Sequence, residues 1–154
     1  MSVEVGQKAP DFKMATDDGG EISLSSLKGR NVVLYFYPKD DTPGCTKEAC
    51  GFQASMPTFS KLDAAIVGVS KDSVARHQKF KSKYGLDFTL ASDENNGVCE
   101  SYGVWTEKRN YGRRYMGIER STFLIDGNGV VQKVWRNVKV NGHVDEVLEA
   151  AKAL

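Results

Sequence analysis

The chain has 154 residues, of which 40% are hydrophobic and 27% are charged, proportions that suit one globular domain of ordinary size. Its 21 lysine and arginine residues nearly balance its 20 aspartate and glutamate residues, so the net charge of +1 argues against a nucleic-acid-binding protein. Three cysteines do not make the disulfide framework of a secreted protein, and no apolar run has the length of a membrane helix. We therefore expect a single domain over residues 1–154, without a membrane segment, in the cytoplasm.

The first predicted element is a β-hairpin near the N-terminus. Residues 11–16 and 21–24 flank the sequence DDGG, whose residue types tolerate turn conformations. After a short turn over residues 25–28, the run NVVLYFY at residues 31–37 predicts a central strand. This run is rich in β-branched and aromatic residues and lacks polar alternation, as expected of a strand covered on both faces.

A helix is predicted to begin near Pro43, because proline is favoured in the first helical turn. This start places Cys45 in the first turn of the helix. Gly51 and Pro57 both weaken the helix, and we expect Pro57 to kink it or to divide it in two.

The rest of the chain mostly alternates between strands and helices. The predicted elements are a buried strand over 64–70, a helix over 73–84, a short strand over 88–91, a short helix over 96–102, a hairpin of 121–126 with 130–137, and a final amphipathic helix over 144–154. Lys108, Arg109, Arg113 and Arg114 are interpreted as a solvated loop, with contact to a partner as the alternative. Helices between strands imply parallel crossovers, so the prediction is an α/β fold with a mixed central sheet flanked by helices.

The position of Cys45 is the clearest indication of chemistry. It follows a strand and lies at a helix start, where unpaired backbone N–H groups and the helix dipole favour negative charge. That environment favours the thiolate, which is the reactive form of cysteine. Thr42, three residues earlier, can point a hydroxyl into the same space. The alternative is a buried structural cysteine.

The segment Pro38-x-x-x-Thr42-x-x-Cys45 resembles the active-site signature of the peroxiredoxins. The cysteine five residues on, Cys50, resembles that of the subfamily called peroxiredoxin Q or bacterioferritin comigratory protein. The resemblance covers nearly the whole chain, and its other blocks lie at residues 32–50, 66–72, 102–105 and 115–126.

This resemblance implies a thioredoxin-like fold and a peroxidase reaction on hydrogen peroxide and organic hydroperoxides. Cys45 would be the peroxidatic nucleophile, and its sulfenic acid would condense with Cys50, the resolving cysteine. Thioredoxin or a similar dithiol reductant would then reduce the disulfide. Members of this subfamily are often monomers, so a monomer is expected, and no metal or cofactor is implied.

The resemblance also assigns roles around Cys45. Thr42 would hydrogen-bond the thiolate and the incoming peroxide, and Pro38 would shield the cysteine from water. Arg120 resembles the active-site arginine, and Glu48 resembles the residue that orients it. An ordinary surface ion pair is the alternative for Arg120.

The spacing of the implied disulfide has a mechanical consequence. In an unbroken α-helix, residues five apart lie about 8.6 Å apart at Cα and project about 140° apart around the axis. A disulfide needs a Cα separation below about 7 Å. We therefore expect the first helix to unwind in each turnover, which Gly51 and Pro57 make easier.

Several alternatives remain at this point. Cys50 could be an ordinary core residue, and Cys99 is expected to be a small buried hydrophobe, with an alternate resolving role or an intermolecular disulfide as its alternatives. A non-catalytic redox switch or chaperone is the alternative function. A protein disulfide reductase is disfavoured, because the spacing is CxxxxC and not CxxC.

Overall fold

Fourteen elements of secondary structure make up the chain in this computed structural model, which describes residues 3–154. In chain order they are β1 (Lys13–Thr16), β2 (Glu21–Ser23), a 3-10 turn (Ser25–Leu27), β3 (Asn31–Phe36), α1 (Pro43–Lys61), β4 (Ala64–Ser70), α2 (Val74–Tyr84), β5 (Thr89–Ser92), α3 (Val98–Ser101), β6 (Trp105–Asn110), β7 (Arg113–Ile118), β8 (Ser121–Ile125), β9 (Val131–Trp135) and α4 (His143–Lys152).

A seven-stranded mixed sheet has the strand order β2-β1-β5-β4-β3-β8-β9. Strands β3, β4 and β5 pair in parallel, as the helical crossovers between them require. Strand β8 adds to β3 in the antiparallel direction, and β1 does the same to β5. The predicted mixed sheet and N-terminal hairpin are therefore confirmed.

Strand β3 is central because both of its faces are covered. Every residue from Val32 to Phe36 is buried. Val33 and Tyr35 pack with buried residues of α1, α2 and α4, whereas Leu34 and Phe36 pack with residues of α3 on the opposite face. Helices thus flank the sheet on both sides, and none of those described has the length and apolar character needed to cross a membrane.

Helix α1 runs without interruption from Pro43 to Lys61, so the predicted division at Pro57 is wrong. Proline lacks the N–H that would bond to the carbonyl one turn earlier, and this costs stability. Pro57 itself is exposed, but Phe52 and Phe59 on either side of it are fully buried. The burial of these two rings holds both halves of the helix against the sheet and offsets the missing bond.

Strands β6 and β7 form a second, two-stranded sheet, so the predicted solvated loop around the basic residues is wrong. The hairpin closes on Tyr111 and Gly112, whose φ angles of 51° and 74° suit a tight two-residue turn. At its base, the buried Ile118 pairs with Trp105, which packs against the core. Its charged residues do not alternate with apolar ones, which is why the strand pattern escaped the sequence analysis.

Candidate active site

Cys45 lies in the first turn of α1, directly beyond the end of β3. Thr42 is the extended residue before the helix, with φ −96° and ψ 155°, and Pro43 is the first helical residue. The side chain of Cys45 is 2% exposed. The predicted position of this cysteine at a helix start is thus confirmed, and the start of α1 favours negative charge on its sulfur.

Arg120 reaches Cys45 from the neighbouring strand. Ser121 pairs with Phe36 across β8 and β3, so Arg120 lies beside the end of the strand that leads to Cys45. Its Nη2 donates a hydrogen bond to Cys45 Sγ at 3.3 Å. A Cβ at Gly44 would lie 3.2 Å from Nη2, so the glycine leaves room for the guanidinium. A fixed cation at this distance stabilises the anionic form of the sulfur.

Glu48 holds the other end of the same guanidinium. Its Oε1 accepts a hydrogen bond from Arg120 Nη1 at 2.6 Å, and its side chain is fully buried. Its second oxygen, Oε2, is buried with no hydrogen-bond partner among the described residues. Burial raises the pKa of Glu48 to about 7, although Arg120 acts in the opposite direction. The structure therefore brings Cys45, Glu48 and Arg120 together.

The side chain of Thr42 has a different hydrogen-bond partner from the one that the resemblance implies. Its Oγ1 donates to the Lys39 carbonyl oxygen at 2.9 Å, so the implied hydrogen bond to Cys45 is not the one that the structure holds. The hydroxyl competes for a backbone acceptor close to it in sequence, as threonine side chains often do. Pro38 is exposed and lines, with Arg120, a cleft of about 550 Å³.

The three cysteines are unpaired and differ in their surroundings. Cys50 is exposed on α1, so it is not an ordinary core residue. Cys99 is fully buried on α3, in the core on the opposite face of the sheet from Cys45. Burial raises the pKa of the Cys99 thiol far above its ordinary value, and the nearby Asp93 acts in the same direction. Cys99 thus fits the expectation of a small buried hydrophobe.

A buried polar network that the sequence did not predict fixes the loop between β3 and α1. Asp40 is 3% exposed and accepts a hydrogen bond from the Tyr37 hydroxyl. Its other oxygen lies 2.6 Å from His77 Nδ1, and His77 Nε2 lies 3.0 Å from the Ala91 carbonyl oxygen. Both ring nitrogens face oxygen atoms, so hydrogen-bond partners hold the imidazole ring at both of its nitrogens.

Only one feature of the sequence hinted at this network. His77 falls on the same face of the predicted helix as Phe80, and that face is buried. A histidine buried on an apolar face needs hydrogen-bond partners. Its partner, Asp40, is 37 residues away along the chain, so the pairing was not visible in any local pattern.

The described residues include no cluster of three or more histidine, cysteine, aspartate or glutamate side chains suited to holding a metal ion. The chemical group that stands out is instead a sulfur atom between a helix start and a guanidinium, and this guanidinium, that of Arg120, lines an open cleft. Such a sulfur can act as a nucleophile towards a small electrophile that enters the cleft.

Comparison with known proteins agrees with this geometry. The sequence profile of the AhpC/TSA family matches residues 5–134. The peroxiredoxin Bcp of Bacillus subtilis is 53% identical over 152 residues, which are 99% of this chain and 97% of that protein.

Solved structures show the same similarity. A cysteine-to-serine mutant of Xylella fastidiosa PrxQ superimposes with a TM-score of 0.94 at 38% identity, over 99% of this chain and 98% of its own. The Xanthomonas campestris bacterioferritin comigratory protein, described with an alkyl peroxide reduction activity, superimposes with a TM-score of 0.88 at 46% identity, over 92% of this chain and 90% of its own.

Proposed function

This chain belongs to the AhpC/TSA family and is a thiol peroxidase of the Bcp type, and from that premise we propose that Cys45 is its peroxidatic nucleophile. The observation that carries the proposal is the 3.3 Å hydrogen bond from Arg120 Nη2 to Cys45 Sγ at the start of α1. The helix start and the guanidinium both favour the thiolate, which is the form that attacks peroxides.

In the first step, the Cys45 thiolate attacks one oxygen of the hydroperoxide. An S–O bond forms and the O–O bond breaks, and the second oxygen leaves as water or an alcohol after taking up a proton. Cys45 is oxidised to a sulfenic acid. Negative charge moves from sulfur towards the leaving oxygen, so Arg120 and the first N–H groups of α1 stabilise the transition state.

Three neighbouring residues support this step in the proposal. Glu48 orients Arg120 through the 2.6 Å ion pair. Thr42 would donate its hydroxyl to the peroxide, for which it must leave the Lys39 carbonyl oxygen. Pro38, at the rim of the cleft, would limit the access of water to Cys45.

In the second step, the Cys50 thiol attacks the Cys45 sulfenic acid, a disulfide forms and water leaves. Both cysteines lie on the uninterrupted helix α1, where an ideal geometry keeps their Cα atoms about 8.6 Å apart. A disulfide needs less than about 7 Å, so we propose that α1 unwinds between them. Cys50 is already exposed, and therefore the unwinding has to move Cys45 out of its buried position.

The third step regenerates the enzyme. We propose that thioredoxin or a similar dithiol attacks the Cys45–Cys50 disulfide, because exposed Cys50 offers a sulfur that a protein thiol can reach. A reducing cytoplasm would supply that dithiol. We also propose that residues 1–154 act as one domain, since both core clusters are built on the same sheet. A monomer is proposed from the subfamily resemblance.

Peroxide consumption in the presence of thioredoxin, its reductase and NADPH tests this cycle. Cys45→Ser should abolish turnover. Cys50→Ser should be oxidised once by peroxide but should no longer be recycled by thioredoxin. Cys99→Ala is the matched control and should retain turnover, because Cys99 lies in the core on the opposite face of the sheet.

Mass spectrometry after one equivalent of peroxide should find the Cys45–Cys50 disulfide. A disulfide that includes Cys99 would contradict the proposed pairing. Disulfide formation without turnover would favour a redox switch, and turnover by Cys45→Ser would overturn the assignment of the nucleophile.

A further inference from the structure

The cleft lined by Arg120, which donates to Cys45, is also lined by residues that the proposed mechanism does not use. The cleft encloses about 550 Å³, within the range of small-molecule sites. Arg120 and Pro38 line the cleft, and so do Glu107 and Lys108 of strand β6. A hydrogen peroxide molecule is far smaller than this space, so the cleft has room for the organic part of a larger hydroperoxide.

Lys108 is fixed with its side chain towards this cleft. It is half-buried, whereas Glu107 and Arg109 on either side of it in the strand are exposed. Its aliphatic stem crosses β7 over Gly117, where an added Cβ would lie 3.1 Å from Lys108 Cδ. Alternation along β6 therefore turns Lys108 towards the body of the protein and Arg109 away from it.

The ammonium group of Lys108 has no partner among the residues that the structure describes. In the part of the chain that the structure describes, Nζ makes no hydrogen bond and no salt bridge, although Glu119 also lines the cleft. The other carboxylate there, Glu107, lies 3.5 Å from Arg114 Nε. Burial lowers the pKa of Lys108 and the charge of Arg120 lowers it further, whereas Cys45 and Glu119 act in the opposite direction.

The two cations of the cleft thus differ in whether their N–H groups already donate hydrogen bonds. Arg120 already donates to Cys45 and Glu48. Lys108 is partly removed from water and is unpaired within residues 3–154, so an anionic group that enters the cleft gains a charge-assisted hydrogen bond without displacing an existing one.

We propose that the cleft selects hydroperoxides whose carbon skeleton carries a carboxylate, and that Lys108 binds this carboxylate while the O–O group approaches Cys45 beside Arg120. This inference rests on the proposed peroxidase function. It makes Lys108 a specificity residue that contacts the substrate at the end opposite to the reacting atoms.

A matched pair of substrates tests the inference. We would mix prereduced protein with cumene hydroperoxide bearing a ring carboxylate, or with the methyl ester of the same compound, and count oxidised Cys45 by rapid-quench mass spectrometry. Because the prereduced protein reacts only once, no reductant is needed and none affects the measured rate. The readout is the ratio of the two second-order rate constants, carboxylate over ester. This ratio should exceed one in the wild-type protein and fall about tenfold in Lys108→Met, because one charge-assisted hydrogen bond is lost.

Two further variants sharpen the result. Lys108→Arg keeps a cation in the cleft and should keep the preference for the carboxylate. Arg109→Met removes the same charge from the same strand on its exposed face, and should leave the ratio as it is in the wild type.

An unchanged ratio in Lys108→Met would overturn the inference, and so would an equal fall in Arg109→Met, which would indicate a general field of the hairpin. Hydrogen peroxide separates these outcomes from a failure of the proposed function. If hydrogen peroxide does not oxidise Cys45 in the wild type, the proposed function fails. If it does while the carboxylate ratio is insensitive to Lys108, only the role of Lys108 fails.

Discussion

The chain before Cys45 and the chain after it are held in opposite ways. Before it, Asp40 is buried with both carboxylate oxygens engaged, by Tyr37 and by His77. The backbone N–H of Asp40 also donates to Asp72 Oδ2 at 2.8 Å. Next to it, Asp41 has a φ of 59°, and its carboxylate accepts hydrogen bonds from Lys83 and Tyr84 of α2. The loop before the cysteine is therefore tied to α2 and to the sheet.

After Cys45, the buried carboxylate is only half satisfied. Glu48 shares one oxygen with Arg120 and has a second oxygen with no partner among the described residues. The next reactive residue, Cys50, is exposed, and the helix then continues through Gly51 and Pro57. A half-satisfied buried polar group costs free energy that is recovered when the segment opens to water.

The comparison indicates where the molecule bends during turnover. A fully satisfied network holds the loop that presents Cys45 to peroxide, and a partly satisfied one holds the turn that has to unwind for Cys50 to reach it. Cys45 thus lies at the boundary between a segment that should stay folded and a segment that should open.

Breaking the network before Cys45 should have the largest effect. His77→Leu leaves the buried Asp40 carboxylate without its partner on one oxygen, so the free energy of unfolding should fall by about 3–5 kcal/mol. Adding Asp40→Asn to this variant should recover part of the loss, because the unpaired charge is removed. Urea unfolding of the two variants and the wild type measures both effects. A loss below about 1 kcal/mol in His77→Leu would mean that this loop is not locked.

Removing the cation shared by Cys45 and Glu48 should have the next largest effect. In Arg120→Met the thiolate and the transition state lose a charged donor, so the rate constant for oxidation of Cys45 should fall about a hundredfold. Single-turnover oxidation by hydrogen peroxide measures it. Arg30→Met removes an exposed arginine that pairs with Asp63 and serves as the control. A similar loss in both variants would argue against a specific role for Arg120.

The position of Cys45 was predictable because its causes are local: a strand, a proline and a helix start follow one another in the sequence. The approach of Arg120 was predicted only from the resemblance, since its physical cause is the register of Ser121 against Phe36 between strands far apart in the chain. The resemblance implied a hydrogen bond from the Thr42 hydroxyl to Cys45, whereas the structure has one to the Lys39 carbonyl oxygen. The rotamer of a side chain, which decides between such partners, leaves no trace in a sequence pattern.

Most of the sheet was also predictable, because β3, β4 and β8 are runs of buried apolar residues with strand length. The hairpin of β6 and β7 was not, because its charged side chains hide the alternation of a strand. The sequence therefore predicts a solvated loop at Lys108 and gives no sign that its side chain lines a cleft. The unpartnered oxygen of Glu48 depends on the tertiary packing around it, which no local pattern reports.

A further effect, on the pH dependence of the free energy of unfolding, is expected from Glu48. Burial raises its pKa in the folded protein from the ordinary 4.5 to about 7, so folding favours the protonated carboxyl. This stabilisation is complete below pH 4.5 and is lost as the pH rises through 7. Relative to Glu48→Gln, the wild type should lose about 3 kcal/mol of unfolding free energy across that interval.

Urea unfolding of both proteins at a series of pH values measures this difference, and Glu149→Gln, an exposed change on α4, is the control. A difference that stays constant with pH would mean that Glu48 is already satisfied in the fold. The segment after Cys45 would then be held as firmly as the loop before it, and the contrast between them would disappear.

The smallest effect on the free energy of unfolding should come from replacing the proline inside α1. Pro57→Ala restores one backbone hydrogen bond at an exposed position, and the gain is partly offset because proline also restricts the unfolded chain. We expect unfolding free energy to rise by about 1 kcal/mol and disulfide formation to slow severalfold, while the first oxidation of Cys45 keeps its rate.

Rapid-quench mass spectrometry resolves these two steps, because the sulfenic acid and the disulfide differ in mass. Slower disulfide formation with unchanged first oxidation would mean that unwinding after Cys45 extends down α1 as far as Pro57. Equal rates of disulfide formation in both proteins would confine the unwinding to the turn around Cys45 and Cys50, where Glu48 alone would account for the ease of opening. Faster disulfide formation in the more stable helix would contradict unwinding as the limiting event, because stabilising a segment cannot speed its opening.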